Sequence, residues 1–122
     1  MVLIKKIDHV QLAMPSGKED SAREFYNGIL GIPEVKKPME LAKRGGVWFE
    51  SDSIKIHLGV DKDFIPAKKA HPGLEVDSVE VLSEILSKHG YGITQDHSIS
   101  DCIRIFVNDP FGNRLEFLEW ST

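Results

Sequence analysis

The chain has 122 residues, which is enough for one compact domain with a single core and too few for two independent domains. Its composition, 41% hydrophobic and 28% charged, is typical of a soluble globular protein and excludes a disordered or fibrous chain. The formal net charge of -4 argues against a nucleic-acid-binding protein, because phosphate recognition depends on clustered lysine and arginine.

The N-terminal segment and the cysteine content indicate the cellular compartment in which we expect the protein. The first 15 residues show a short apolar alternation but no long apolar run after a basic patch, which argues against a signal peptide and against a membrane span. Cys102 is the single cysteine and cannot form an internal disulfide. We therefore expect a soluble cytoplasmic protein in which Cys102 serves as a small apolar residue.

The first predicted elements are a strand and a helix. Residues 9–14 alternate as a half-buried strand, which ends at the turn-forming residues 15–17. Ser16 and Glu19 have the spacing of a capping box, which predicts a helix start. An apolar stripe follows at helical spacing, and Gly31 is the predicted stop; the stripe consists of Ala22, Phe25, Tyr26, Ile29 and Leu30.

A second strand and helix repeat this plan about half a chain later. His71 begins a short alternating strand, and either Asp77 or Ser78 caps the helix after it. His89 stands in the last turn of that helix and Gly90 follows as the stop. The apolar stripe of this helix consists of Leu82, Ile85 and Leu86. Such self-similarity predicts an internal duplication.

Strand-like runs follow each helix, at 47–51 and 54–60 in the first half and at 103–107 and 114–120 in the second. The predicted fold is therefore α+β: two βαβββ modules that form a curved, partly open mixed sheet around a central cavity, with a helix on the other face. We expect a single domain, residues 1–122, with module 1 at about residues 5–61 and module 2 at about residues 69–120.

Four polar residues occupy matched positions in the two modules. His9 and His71 begin the first strand of each module and are 62 residues apart, while His57 and Glu116 lie in the last strand and are 59 apart. Because strand side chains alternate between faces, the apolar neighbours of His57 and Glu116 predict that both residues face away from the helix.

Imidazoles and a carboxylate that face a cavity need partners, and one ion can satisfy all four. The sequence therefore predicts one divalent metal ion (Zn, Ni, Co, Fe or Mn) bound by His9, His57, His71 and Glu116. Taken singly, any of these histidines is more typical of a structural or surface residue, so the prediction depends on the matched spacing.

Strand parity also predicts which residues line the cavity. Gln11 lies beside His9, Trp48 and Glu50 face His57 across a hairpin, and Arg104 and Phe106 lie opposite the apolar face of their strand. We expect Gln11, Trp48, Arg104 and Phe106 to bind a small, partly apolar substrate that can be anionic. The alternative is that Glu50 pairs with Lys55 and that Arg104 faces solvent.

The chain resembles the vicinal-oxygen-chelate superfamily, which comprises the glyoxalase, bleomycin-resistance and dioxygenase proteins, over nearly its whole length. Residues 7–12 resemble the opening metal-bearing strand of that superfamily, and residues 22–31 resemble its first helix with the "FY…LG" signature. Residues 109–116 resemble its closing "DPxGN…E" hairpin, whose glutamate is a metal ligand. His71 matches a further ligand, whereas His57 stands where glyoxalase-like members carry Glu and epimerase-like members carry Gln.

This resemblance implies a small metal-dependent enzyme, a lyase or isomerase, that binds its substrate through two adjacent oxygens. A metal ion with two open positions would act as a Lewis acid, and Glu116 would move a proton. Three alternatives remain: a metal-free protein that binds a drug or metabolite, as bleomycin-resistance proteins do; a thiol transferase; and a dioxygenase. The scaffold hosts all of these functions.

Proteins of this superfamily and length commonly pair, so the resemblance also implies a homodimer. An exposed sheet edge in each module fits such pairing. The four predicted ligands can then come from one chain or from two.

Overall fold

A computed structural model describes all 122 residues of the chain, which form two compact units, Met1–Ile65 and Pro66–Thr122. The strands of the first unit are β1 (Val10–Met14), β2 (Glu34–Val35), β3 (Val47–Ser51) and β4 (Ile54–Val60). Its helices are α1 (Glu19–Ala22), which continues as a π-helix (Arg23–Ile29), and α2 (Met39–Ala42). The second unit contains β5 (Gly73–Glu75), α3 (Val79–Lys88), β6 (Thr94–Asp96), β7 (Cys102–Asn108) and β8 (Arg114–Trp120).

Each unit contains one four-stranded mixed sheet, and the two sheets have the same topology. The strand order is β1-β4-β3-β2 in the first and β5-β8-β7-β6 in the second. In each sheet the first strand pairs in parallel with the last, and the other pairings are antiparallel. The predicted βαβββ duplication and the α+β class are therefore confirmed, and both sheets are open, with β1 and β5 at an edge.

The core of the first unit lies between one face of its sheet and the helical segment of residues 19–29. The alternation that predicted strands 47–51 and 54–60 places every second side chain on this face, and those bounds are confirmed. The buried side chains of this core are Met14, Ala22, Phe25, Tyr26, Val47, Phe49, Ile56 and Leu58. Burying them stabilises the unit by removing apolar surface from water.

The first helix differs from its prediction in two respects. The capping box of Ser16 and Glu19 is wrong: Lys18 is the N-cap residue and no side chain caps the helix. The Glu19 carboxylate instead accepts a hydrogen bond from the backbone N–H of Gly46, 2.8 Å away. The helix also widens to π geometry, with Leu30 N bonded to Phe25 O at 2.9 Å. The predicted stop is confirmed, because Gly31 has a φ of 77°.

In the second unit, helix α3 begins where the sequence predicts a cap. Ser78 is that cap, because its hydroxyl accepts a hydrogen bond from Val81 N at 3.1 Å. Leu86 packs in the core of this unit with four residues of the sheet, Ile105, Val107, Leu115 and Phe117. Ile85, which was predicted to share the buried stripe, is exposed. His71 is not part of a strand, because β5 begins at Gly73, and His9 likewise precedes β1.

The turn between β7 and β8 is organised by a buried aspartate. Asp109 Oδ1 accepts hydrogen bonds from the backbone N–H groups of Phe111 and Asn113, both at 2.9 Å. The Asn113 side-chain amide donates to Asp109 Oδ2, and its oxygen accepts from Ala67 N. The turn thereby fixes the start of β8, the strand that carries Glu116. No helix in the chain has the length and apolar character that crossing a membrane requires.

Candidate functional site

In the first unit, the candidate site is a row of side chains on the sheet face opposite the helix. His57 in β4 pairs in register with Trp48 in β3 and with Gln11 in β1, so these three side chains share a face. Its neighbours Ile56 and Leu58 are buried on the other face. The predicted orientation of His57 is therefore confirmed, although the residue is only 4% exposed.

Aromatic stacking fixes the position of the His57 ring. The Trp48 indole lies parallel to it, with centroids 3.8 Å apart and an interplanar angle of 3°. The His9 ring also stacks with His57, with centroids 4.4 Å apart. Two of the four predicted metal ligands are thus adjacent in this unit, and Trp48 holds one of them.

Carboxylates contact both histidines of this unit. Glu50 Oε2 lies 2.7 Å from His57 Nε2, and Asp8 Oδ2 lies 2.9 Å from His9 Nδ1. The predicted alternative, a Glu50–Lys55 ion pair, is wrong, because Lys55 instead lies 3.8 Å from Asp8. Glu50 and Lys55 are opposite in the register, but the buried imidazole is the stronger competitor for the carboxylate.

Gln11 is the member of this row on the edge strand β1, and it lines an open cavity of about 520 Å³ in the first unit. A side chain at Gly59 would approach the Gln11 amide nitrogen to 2.6 Å, so glycine provides the space that Gln11 occupies. Gln11 is exposed, and a ligand in this cavity can reach it.

In the second unit, Glu116 of β8 is the centre of the site. It pairs in register with Phe106 on one side and Gly73 on the other, while its neighbours Leu115 and Phe117 are buried on the opposite face. Glu116 Oε1 lies 2.9 Å from His71 Nε2, and Arg104 Nη1 donates to Glu116 Oε2 at 3.0 Å. The predicted orientation of Glu116 is confirmed, and His71 and Glu116 are within contact distance.

Arg104 belongs to an ionic network and does not face solvent as the alternative proposed. Besides Glu116, its guanidinium contacts Asp96 Oδ2 at 3.2 Å and Ser98 Oγ at 3.4 Å. Its Nε is buried without a hydrogen-bond partner. These carboxylates raise the pKa of Arg104 above its ordinary value, with the hydrogen bond to Glu116 as the largest cause.

The same contacts determine the charge of Glu116. Burial by itself raises the pKa of this carboxyl group, but the hydrogen bonds from His71 and Arg104 and the Arg104 charge outweigh burial and hold the pKa below its ordinary value. Glu116 is therefore an ionised carboxylate at neutral pH, which is the form that can bind a cation.

Phe106 forms the aromatic wall beside this cluster. Its ring meets the His71 ring edge to face, with centroids 5.3 Å apart. The Arg114 guanidinium lies 4.0 Å from the ring centroid and that of Arg104 lies 5.1 Å from it. Phe106 was predicted from strand parity, whereas Arg114, which shares its face two residues from Glu116, was not singled out.

The structure thus forms two pairs of the predicted metal ligands, His9 with His57 and His71 with Glu116. No group of three or more His, Cys, Asp or Glu side chains in the chain is arranged to hold a metal ion. The metal site of four ligands remains a prediction. Sequence reasoning named Glu50 as a cavity residue or as a partner of Lys55, and it missed the contact of Glu50 with His57.

Comparison with known proteins establishes the family. The model of the Glyoxalase/Bleomycin resistance protein/Dioxygenase superfamily matches residues 6–117, and the chain belongs to this superfamily. A comparison with curated protein sequences gives no match.

Solved structures agree with this assignment. A protein described as a member of the glyoxalase family, from Bacillus anthracis, is 46% identical, with a TM-score of 0.94 and 99% of each chain covered. A lactoylglutathione lyase from Agrobacterium tumefaciens is 18% identical (TM-score 0.73; coverage 95% of this chain and 94% of that one). The antibiotic-binding protein TnmS3 from Streptomyces sp. CB03234 is 16% identical (TM-score 0.74; coverage 99% and 100%). The last two similarities concern the fold alone.

Proposed function

We propose that this protein is a metal-dependent lyase or isomerase that binds a small substrate through two adjacent oxygens. In this proposal, His9, His57, His71 and Glu116 bind one divalent cation, and both units act together as a single domain. The donor set of three imidazoles and one carboxylate suits Zn, Ni, Co, Fe or Mn.

The hydrogen bonding of His71 is the observation that supports this proposal most directly. Its Nδ1 lies 2.8 Å from the backbone oxygen of Lys69, and its Nε2 lies 2.9 Å from Glu116 Oε1. A carbonyl oxygen can only accept, so Nδ1 carries a proton. Nε2 is therefore the ring nitrogen that would bind a cation, and it lies beside the Glu116 carboxylate, the other proposed ligand of this unit. A ring whose Nδ1–H donates to a backbone carbonyl is the usual form of a metal-binding histidine.

The pair in the first unit supplies compatible groups. The Asp8 carboxylate holds Nδ1 of His9, which leaves Nε2 of that ring for a ligand. His57 is held by stacking on Trp48 and by Glu50, so its ring has little freedom to rotate. A ligand held in place before it binds loses less entropy on binding.

The bound cation would supply Lewis acidity, which stabilises negative charge on the substrate oxygens. The chain's own residues do the rest. Trp48 and Phe106 provide apolar walls that exclude water from the substrate.

A second function is favoured by the arrangement of the ionic groups. Glu50 and Glu116 already have basic partners, and no group of three potential ligands is formed. Such pairing suits a metal-free protein that binds a small drug or metabolite, with Trp48 and Phe106 as the aromatic contacts that we propose. A solved protein with the same fold is described as antibiotic-binding, which supports a binding function as the second candidate.

We also propose that the protein is a homodimer. Strand β1 is at the edge of its sheet, and the segment before it exposes five apolar residues, Met1, Val2, Leu3, Ile4 and Ile7. Free backbone groups beside exposed apolar side chains are the features that a second copy can cover. Removal of residues 1–7 should therefore give a monomer in analytical ultracentrifugation, and an unchanged dimer would contradict the proposed interface.

Metal content tests the proposed enzyme. Untagged protein, stripped with EDTA and dialysed against each metal, should retain one ion per chain. His71→Ala should lose the ion, whereas His89→Ala, a control at the exposed end of α3, should retain it. Metal-loaded protein should then isomerise a glutathione hemithioacetal or a related hydroxycarbonyl compound. Absence of stoichiometric metal would reject the enzyme proposal in favour of the metal-free binding protein.

Mixed dimers decide which chains supply the ligands. A His57→Ala chain lacks one proposed ligand in its first unit, and a His71→Ala chain lacks one in its second unit. If the site combines two chains, a dimer of one variant with the other contains one intact site and binds one ion. If each chain supplies its own four ligands, the mixed dimer binds none.

A further inference from the structure

A cavity of about 420 Å³ in the second unit has two basic residues in its lining, Lys68 and Arg114. Every ion pair of the chain involves other residues, so neither has an acidic partner. Thr94 and Asn108 add polar groups, and Phe106 forms an apolar wall. The cavity is therefore positively charged in a protein whose formal net charge is -4.

The strand pairing and Phe106 hold Arg114 in place. Arg114 is the first residue of β8 and pairs in register with Asn108 of β7, and its guanidinium lies 4.0 Å from the centroid of the Phe106 ring. Stacking on an aromatic face satisfies the flat side of a guanidinium and leaves its N–H groups free at the edge. The side chain is half-buried, so these donors are partly withdrawn from water and await an acceptor.

Arg104 cannot take this role, although the sequence pattern assigned the binding of an anionic substrate to it. Its guanidinium is already engaged with Glu116 and Asp96, and the charge of each carboxylate opposes that of an incoming anion. Arg114 has no such competitor, and a guanidinium can bind a carboxylate or a phosphate through two parallel hydrogen bonds.

Phe106 connects this cavity to the proposed metal ligands. The same ring contacts Arg114 on its face and meets His71 edge to face, with centroids 5.3 Å apart. A small molecule lying along Phe106 can therefore place one end at Arg114 and the other near His71.

We infer that Arg114, assisted by Lys68, binds an anionic oxygen group, a carboxylate or a phosphate, of a small substrate whose apolar part lies against Phe106. This inference rests on the proposed function for the reaction at the other end of the substrate. Binding of the anion itself requires no metal, so the two proposals can fail separately.

The test uses the full-length protein in EDTA, so that metal binding plays no part. Benzoate and phenyl phosphate serve as probes, with benzyl alcohol as the uncharged control, all at constant ionic strength. Titration is followed by ¹⁵N NMR of the Arg114 Nε–Hε group and of the Thr94 and Asn108 backbone amides. The variants are Arg114→Ala, Arg114→Lys and the exposed control Arg44→Ala in the first unit.

We expect saturable shifts at these groups for at least one anion, and the tighter probe identifies the preferred group as carboxylate or phosphate. Arg114→Ala should weaken binding by about tenfold or more, the loss expected when a hydrogen bond to a charged group is removed. Arg114→Lys should weaken it less, and Arg44→Ala should leave it unchanged. Equal binding of benzyl alcohol, absence of saturation, or unchanged affinity in a folded Arg114→Ala variant would overturn the inference.

Discussion

His57 and Glu50 lie on adjacent strands, and the imidazole Nε2 of one is 2.7 Å from the carboxylate Oε2 of the other. His57 is buried, whereas Glu50 is only half-buried, so the Glu50 carboxylate remains partly accessible to water. In the second unit, His71 and Glu116 are joined by a similar contact at 2.9 Å, although it is Glu116, and not His71, that occupies the position equivalent to His57. In both units, a histidine of the candidate site therefore contacts a glutamate.

Removing the Glu50 carboxylate should destabilise the first unit. Glu50→Ala leaves the buried His57 ring without its acceptor, which should lower the free energy of unfolding by about 1 to 3 kcal/mol. Glu50→Gln keeps an acceptor oxygen and should cost less. Urea denaturation measures both. Glu40→Ala, an exposed glutamate of α2, is the control, and an equal effect of both alanine variants would show that the contact contributes nothing.

Trp48 should report on cation binding at His57, because the two rings are stacked with centroids 3.8 Å apart. The chain has two tryptophans, so Trp120→Phe leaves Trp48 as the single emitter. Paramagnetic Co²⁺ or Ni²⁺ should quench its fluorescence to saturation at one equivalent, and excess Zn²⁺ should reverse the quenching.

The same titration in Trp120→Phe/His57→Ala should lose the saturable component, whereas Trp120→Phe/His97→Ala should keep it. Quenching that survives the loss of His57 would place the ion elsewhere.

Two glycines separate the effect of backbone conformation from that of close packing. Both Gly46 (φ 87°) and Gly31 (φ 77°) have positive φ. A Cβ added at Gly46 would lie 2.2 Å from the Leu58 backbone oxygen, whereas a Cβ added at Gly31 would have no atom of another residue within 4 Å. Gly31→Ala should cost about 1 to 2 kcal/mol of unfolding free energy. Gly46→Ala adds overpacking and should cost about 2 to 5 kcal/mol in total. Equal losses in chemical denaturation would contradict the proposed crowding at Gly46.

Local sequence patterns predicted most of the fold. The bounds of β3, β4 and β8 follow from alternation of side chains between a core and a polar face, which is a local property. The capping box failed because Ser16 and Glu19 have the right spacing but Gly46, distant in sequence, takes the Glu19 carboxylate. Local rules contain no information about such partners.

The candidate site was predicted as a set of positions rather than as a set of contacts. Parity along β4 and β8 was sufficient to place His57 and Glu116 on the face opposite the helices. The partners of Glu50, Arg104 and Arg114 depend on register and on competition between charges, and neither is readable from spacing. Arg114 lies directly after the turn motif of residues 109–113, and nothing in that local pattern indicates that its guanidinium stacks on Phe106.

The turn before β8 should be sensitive to loss of one carboxylate. Asp109→Ala removes the acceptor of the buried Asn113 N–H and of the part-buried Phe111 N–H, and we expect a loss of about 2 to 4 kcal/mol, because each unsatisfied buried group costs about 1 to 3 kcal/mol. Asp109→Asn keeps one acceptor oxygen, so its free energy of unfolding should lie between those of the wild type and Asp109→Ala. Thermal and urea unfolding measure the loss, with the exposed Asp63→Ala as control. A neutral Asp109→Ala variant would show that the turn forms without this network.

Asp96 gives the second unit a defined response to acid. The hydrogen bond from the Ser98 hydroxyl, followed by that from the Ser98 backbone N–H, lowers the pKa of Asp96 from 3.8 to about 2, and Arg104 contributes further. Because the folded-state pKa is the lower one, the stability that this carboxylate contributes is present above pH 3.8 and is lost as the pH falls toward about 2.

Ser98→Ala removes the largest cause and should raise the pKa of Asp96 toward 3.8, as measured by carboxyl ¹³C NMR titration. Ser100→Ala, in the same exposed loop, should leave it near 2. The Ser98 variant should therefore be less stable than the wild type above pH 3.8, and the stability curves of the two proteins should converge as the pH falls toward about 2, where the contribution of Asp96 is lost. An Asp96 pKa that is the same in both variants would show that the loop backbone and Arg104 alone hold this carboxylate ionised.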